Sequence, residues 1–539
     1  QTGATQTGAT PQGARPAPEQ PAAATRPMLV VHITVDQLRA DYHDRWASQL
    51  DGGLARLYRG GAVFMNAYQD HAIAETAPGH ASTLSGRFPR STGITMNARG
   101  VADPRATIIG GGAMGASPFR FRGSALLDWM RIDDPRSRAL SVSRKDRGAI
   151  LPVGRLPEDV YWYVNDGRFS TSSYYGDTLP GWVQAFNARQ IPQSYAGRAW
   201  TLLLPDSAYA EPDSVPSESG GRNFVFPHVV PPNGELAAGA LPAFPWMDDL
   251  TADFALAGLE AMGLGRGPQT DLLAVSFSTT DAVGHQYGPD SRELHDQILR
   301  LDRVLGRFID SLYKLRDSSS IIISLTSDHG VAPMPGTASH DPNRGAVVVS
   351  LRPLIAGADS ALQRRGVPAG AVYLESGAVT VDRAALARAG VNADSVIDAL
   401  AAGARAVRGV MRADRWEALS GMDTTRDDVA RRWLHMFPPD MRPDLVVTLT
   451  PYSTWSASYF QHGAPHSYDT NVPVIFYGPP FRAARFTEFT RVVDIAPTLA
   501  AVLGVPPTEA LDGRVLRQAL VAPPAAAQAS GRATPRRDD

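Results

Sequence analysis

Residues 272–330 read LLAVSFSTTDAVGHQYGPDSRELHDQILRLDRVLGRFIDSLYKLRDSSSIIISLTSDHG, and this stretch decides the fold. It opens on a short apolar run, Leu272 to Ser278, and closes on another, Ile321 to Leu325. Between them, His295 to Leu315 sets Ile298, Leu301, Leu305, Phe308 and Leu312 at helical spacing, which predicts an amphipathic helix. Strand, helix, strand in that order predicts a right-handed crossover in an open sheet. Neither apolar run alternates with polar residues, as expected of parallel strands covered on both faces. Working outward, MLVVHITVD (28–36), LVVTL (445–449) and VPVIFY (472–477) read the same way and complete a set of five. The fold class predicted is α/β: a mostly parallel sheet with helices on both faces.

The remainder divides around that core. Residues 1–27 contain a doubled QTGAT unit and a Pro/Ala/Gln-rich stretch, and residues 521–539 are similar; neither has the apolar periodicity to bury a core, so both are expected to be disordered. The core is expected in three parts, 28–97, 268–336 and 445–520, with a cap insertion at 98–267 and a second insertion at 337–444. The second mixes strand-like AVVVSL and AVTV with helical SVIDALAAGARAV.

Composition excludes several functions. The chain of 539 residues has a formal net charge of -2, which argues against a nucleic-acid partner or a polybasic membrane surface. With no cysteine, disulfides, thiolate zinc sites and a cysteine nucleophile are all ruled out. No apolar run is long enough to span a membrane.

Ligands of open α/β sheets bind at the carboxyl ends of the strands, and unusual polar residues gather there. Asp36 ends the first run, Asp281 and His285 follow the second, Asp328 and His329 follow the third, and His466 lies in HGAPHSYD before the strand at 472. Taken alone, each Asp is more usually a turn or cap residue and each His a hydrogen-bonded one; their joint occurrence at strand ends points to a shared site. Three Asp and three His suit two divalent ions, and carboxylate with imidazole fits Zn²⁺ while admitting Mn²⁺ or Fe. Thr76, in ETAPGHASTLSG, is expected at a helix N-terminus, either as a nucleophile activated by metal or simply as an N-cap. Asn97 offers an amide donor, and Lys145 and Arg147, two residues apart, would face one phosphoryl group together if they lay on an extended strand.

These segments resemble the alkaline phosphatase superfamily, most closely its PafA-type monoesterase branch, from about Met28 to about Leu520. The resemblance rests on VVHITVDQLRADY, TAPGHAST, DAVGH, SDHG, HGAPHSYD, and the closing DIAPTLAAVLG and LDGR. It implies two zinc ions: one held by Asp281, His285 and His466, the other by Asp36, Asp328 and His329, with Thr76 between them. It also implies in-line attack by Thr76 on a phosphate monoester, a phosphothreonine intermediate and its hydrolysis. Asn97, Lys145 and Arg147 carry the branch assignment. A phosphodiesterase or nucleotide pyrophosphatase shares every metal ligand but lacks the Lys-x-Arg pair. A sulfatase would need a C/S-x-P-x-R motif that is absent here, and a non-catalytic relative would be expected to have lost a ligand or the nucleophile. Further expectations are export to the periplasm or medium, a monomer, small-molecule phosphate monoesters as substrates, and room for an additional Ca²⁺.

Overall fold

The computed structural model describes residues 3, 26–335, 345–456 and 460–521; the two expected tails lie almost wholly outside them. Among the described residues, nine strands form the central sheet: β1 Leu29–Val35, β2 Ala62–Phe64, β3 Ala139–Ser143, β4 Asp159–Val164, β5 Arg168–Ser170, β6 Asp271–Phe277, β7 Ile321–Thr326, β8 Val474–Tyr477 and β9 Ala484–Phe486. Their order is β9-β2-β8-β7-β1-β6-β3-β4-β5. The five strands β7-β1-β6-β3-β4 are mutually parallel, and β8 and β5 run the opposite way.

β1 shows why its sequence does not alternate. Leu29, Val31, Ile33 and Val35 enter one core cluster, while Val30 enters the cluster on the other face. Both faces exclude water, so both must be apolar. The predicted crossover helix runs from Arg292 to Leu315, with Ile298, Leu301, Leu305, Phe308 and Leu312 buried. Burying each such side chain is worth about 1.5–3 kcal/mol, enough to fix which face meets the sheet. The closing DIAPTLAAVLG forms a helix, Ile495–Leu503, against the second cluster.

Three expectations about organisation need correction. LVVTL (445–449) is not in the central sheet. It pairs antiparallel with Ala378–Val381 and Val410–Arg415 in a separate four-stranded sheet completed by Val372–Glu375. Its two faces enter two different core clusters, so its composition matches that of a central strand. Residues 98–267, expected as a cap, supply β3, β4 and β5 to the central sheet; their short strands sit among long irregular stretches that hide the pattern. Finally, AVVVSL makes only an isolated bridge, Val348 with Thr454.

Candidate metal and phosphate site

The adjacent strands β7, β1, β6 and β3 all end at one place. Asp36 follows β1 directly, Asp328 and His329 follow β7, and Asp281 and His285 lie on the helix Thr279–Tyr287 that leaves β6. Lys145 follows β3. Two groups of side chains each bring three ligand atoms within 4.8 Å of one another: Asp36, Asp328 and His329, and Asp281, His285 and His462.

The second group corrects the expected ligand set. His466 is not in it; its Nε2–H donates to the Leu449 carbonyl at 2.9 Å, and its backbone precedes the helix Ser467–Thr470. His462, at the other end of the same HG-x-x-H segment, takes the place next to Asp281. Its Nε2 is 3.9 Å from Asp281 Oδ1, and its ring stacks on His329 at 3.6 Å between centroids. The loop is held in this pose at several points. Asp469 accepts from the Ala464 N–H at 2.8 Å, and Arg432 donates to the Pro465 carbonyl at 2.5 Å.

All three site histidines present the same nitrogen. His285, His329 and His462 donate from Nδ1 to the carbonyls of Phe460, Gly330 and Ala74, at 2.6, 2.9 and 2.8 Å. This leaves each Nε2 lone pair for the site, the usual way a protein fixes the tautomer of a metal-binding imidazole. Burial pushes His329 down to about 4 and His462 well below its ordinary value, so both are neutral ligands at physiological pH. For His285, burial acts the same way but Asp281 outweighs it and holds the ring above its ordinary value.

Three buried carboxylates converge here. Burial, then Asp328, raise Asp36 to about 6 against the opposing pull of Lys145. Burial pushes Asp281 up too, but Lys145 and His285 outweigh it and hold it well below the usual range. In Asp328 the lowering comes from His80, whose Nδ1 is 3.2 Å from Oδ2 and which overcomes the effect of burial. Neither oxygen of Asp36 accepts a hydrogen bond from the described residues; its counter-charge is Lys145 Nζ at 2.6 Å, which is also 2.7 Å from Asp281 Oδ2. Three buried carboxylates gathered around a single ammonium, beside neutral imidazoles, fit a divalent cation.

Thr76 is the first residue of the helix Thr76–Ser85, with Glu75 as the extended residue before it. Pro78 is tolerated there because first-turn N–H groups have no partner within the helix. Thr76 is thus not the N-cap; the Ala77 N–H is capped from outside by Asn97 Oδ1 at 2.9 Å. Thr76 Oγ lies 3.3 Å from His329 Nε2 and 3.3 Å from Lys145 Nζ. Gly79 makes this approach feasible: a Cβ there would sit 2.3 Å from the Asp328 carbonyl oxygen.

Lys145 and Arg147 are not on a strand, as their same-side reading assumed. Lys145 precedes the short helix Asp146–Ile150, which contains Arg147. Lys145 reaches the carboxylates, while Arg147 lines a cavity of about 370 Å³ with Glu75, Met96, Asn97, Ala98, His285, Ser376, Gln461 and His462. Arg147 Nε has no hydrogen-bond partner among the described residues. With Oδ1 of Asn97 committed to Ala77, its Nδ2 is left for a ligand in that cavity.

Several residues of the site were missed from sequence. Gln37, at φ 67°, donates from its backbone to Asp328 Oδ1 and from its amide to Asp281 Oδ1, tying the two groups together. Glu75 accepts from the Asn97 N–H at 2.6 Å and from Ser376 Oγ at 3.0 Å. Ser376 lies at the tip of the hairpin joining Val372–Glu375 to Ala378–Val381, so the second sheet reaches the cavity. Only Gln37 and Glu75 carried a signal, as the immediate neighbours of Asp36 and Thr76.

Comparison with known proteins agrees with this geometry. The family model for type I phosphodiesterase / nucleotide pyrophosphatase matches residues 30–105 and 158–344. Alkaline phosphatase PhoV of Synechococcus elongatus is 30% identical over 521 residues, covering 92% of this chain and 93% of the relative. Alkaline phosphatase PafA of Elizabethkingia meningoseptica is 28% identical, covering 90% and 92%. The crystal structure of wild-type alkaline phosphatase PafA superposes with a TM-score of 0.84 at 26% identity, over 92% of this chain and all of that one.

Proposed function

Because this chain belongs to the PafA-type branch of the alkaline phosphatase superfamily and is a phosphoric monoester hydrolase with groups built for divalent metal, we propose that it works with two zinc ions and a phosphothreonine intermediate on Thr76. Asp281, His285 and His462 would hold one ion, and Asp36, Asp328 and His329 the other. When bound, the pair supplies Lewis-acid stabilisation of the attacking and departing oxygens.

The chain's own residues account for the rest. Thr76 Oγ, beside His329 and Lys145, gives up its proton to solvent and attacks phosphorus in line, breaking the ester P–O bond, and the departing alcohol oxygen takes a proton from solvent. Asn97 Nδ2 and the Arg147 guanidinium bind the phosphoryl oxygens, and Lys145 adds a second positive contact. The departing oxygen leaves on the side of Asp281, His285 and His462. Water then attacks the phosphothreonine from that side and releases phosphate, regenerating Thr76. The dianionic phosphate of a monoester makes use of both cations, which favours monoesters over diesters.

The observation that carries this reading is the position of Thr76 Oγ, 3.3 Å from both a metal-competent imidazole nitrogen and an ammonium. The test is rapid quench of ³²P-labelled substrate followed by phosphoamino-acid analysis, with metal analysis of the same sample. Label on threonine in the wild type, none in Thr76→Ala, and two zinc ions in both is the expected outcome. Label on another residue, or full turnover in Thr76→Ala, would refute it. We further propose an exported monomer acting on small-molecule monoesters.

A further inference from the structure

We propose that Glu75 is a positioning residue that sets the Asn97 amide against Thr76, an inference that rests on Asn97 binding the phosphoryl oxygens. Glu75 occupies the N-cap position of the Thr76 helix, from which a side-chain oxygen ordinarily accepts from first-turn N–H groups. It makes no such bond. Its carboxylate reaches instead to the turn Asn97–Arg99, where Oε2 accepts from the Asn97 N–H at 2.6 Å. Asn97 Oδ1 in turn accepts from the Ala77 N–H at 2.9 Å. The two segments thus build, across 22 positions of sequence, the reciprocal arrangement that a capping box makes within a single turn.

Asn97 is therefore held from both sides of the nucleophile. The residue before Thr76 binds its backbone and the residue after Thr76 binds its side chain. Fixing the backbone at one end and Oδ1 at the other fixes where Nδ2 lies relative to Thr76 Oγ. The turn also packs closely on the helix: a Cβ on Gly100 would lie 3.0 Å from that of Ala77. The other oxygen of Glu75, Oε1, accepts from Ser376 Oγ at 3.0 Å, so the hairpin tip of the second sheet holds the same carboxylate. Hydrogen bonds to a charged acceptor are shorter and stronger than neutral ones, and small displacements of a group that orients the substrate are costly to turnover. Glu75 lines the cavity together with Asn97 and Arg147, and its two oxygens are spent on Asn97 and Ser376 rather than on its own helix.

The experiment is a double-mutant cycle on phenyl phosphate, with wild type, Glu75→Ala, Asn97→Ala and the double variant, zinc content being measured for each. Asn97→Ala is expected to lower kcat/KM roughly ten- to a hundredfold, the effect of losing a hydrogen bond to a charged group. Glu75→Ala is expected to lower it roughly three- to tenfold with zinc unchanged. Glu75→Gln, which keeps an acceptor for the Asn97 N–H, is expected to recover most of that loss. In the Asn97→Ala background, removing Glu75 is expected to change kcat/KM by less than about twofold, because no amide is left to aim. An equal loss in both backgrounds would overturn the assignment, as would loss of zinc or full activity in Glu75→Ala. An Asn97→Ala protein as active as wild type would instead sink the phosphoryl contact of Asn97 itself, an outcome distinct from additive losses.

Discussion

Replacing Lys145 with Met should cost the metal-free protein far more stability than the metal-loaded one. In the metal-free protein the Lys145 ammonium is the close counter-charge of two buried carboxylates, 2.6 Å from Asp36 and 2.7 Å from Asp281. Removing one partner of a buried ion pair costs about 3–5 kcal/mol. Asp36 is already near 6 and would rise and take up a proton once Lys145 is gone, which holds the loss near the lower figure. Unfolding entropy of about 2.1 cal/mol/K per residue over 539 residues gives about 1.1 kcal/mol/K. The expected drop in Tm in chelator is therefore about 3 °C. With divalent ions seated, the metal replaces Lys145 as counter-charge, and the drop should be under about 1 °C. The thermodynamic cycle then requires the variant to bind zinc about a hundredfold more tightly, because about 3 kcal/mol is two decades. Monoester turnover should nonetheless fall, since the contact with Thr76 and phosphate is lost. Calorimetry of both proteins at pH 8, with and without zinc, together with a zinc titration, would check this. An equal fall in Tm in both states, or weaker zinc binding, would refute the counter-ion role.

His462→Ala should lose bound metal and most activity, whereas His466→Ala should keep both, losing its contacts with the Leu449 carbonyl and the Tyr468 ring; metal analysis of the two proteins decides between them. Zinc loading should weaken below about pH 6, where Asp36 holds a proton. His285, kept above its ordinary value by Asp281, adds a second proton to displace, so apparent affinity should fall one to two decades per pH unit there; a flat profile between pH 5 and 7 would contradict this. The sign is that of a raised acid: between about 3.8 and 6 the folded metal-free protein holds a proton on Asp36 that the unfolded chain lacks, so Asp36's contribution to stability falls as pH rises through that window. Arg147→Ala should reduce kcat/KM by ten- to a hundredfold on a phenyl monoester, on the order of 1.5–3 kcal/mol for a charged hydrogen bond, and far less on its methyl diester.

What the sequence by itself determined was local. The strand–helix–strand unit from Leu272 to Leu325 could be read because burial on both faces of a strand and on one face of a helix leaves a periodic imprint. Asp36, Asp281, His285, Asp328 and His329 were legible because each lies just past such a strand or on the first turns of the helix that leaves it, and chain direction alone fixes which end of the sheet it reaches. The rest depended on contacts between distant residues. Val474–Tyr477 is buried on both faces whichever way it runs, so its antiparallel direction leaves no trace in its composition. Leu445–Leu449 is buried as fully in the small sheet as it would be in the large one. His462 and His466 sit in one loop with no periodicity. Which ring enters the site was decided by Arg432 reaching Pro465, Asp469 holding Ala464 and the Ala74 carbonyl accepting from His462. Those contacts arise from segments that meet only once the chain has folded, so no local pattern records them.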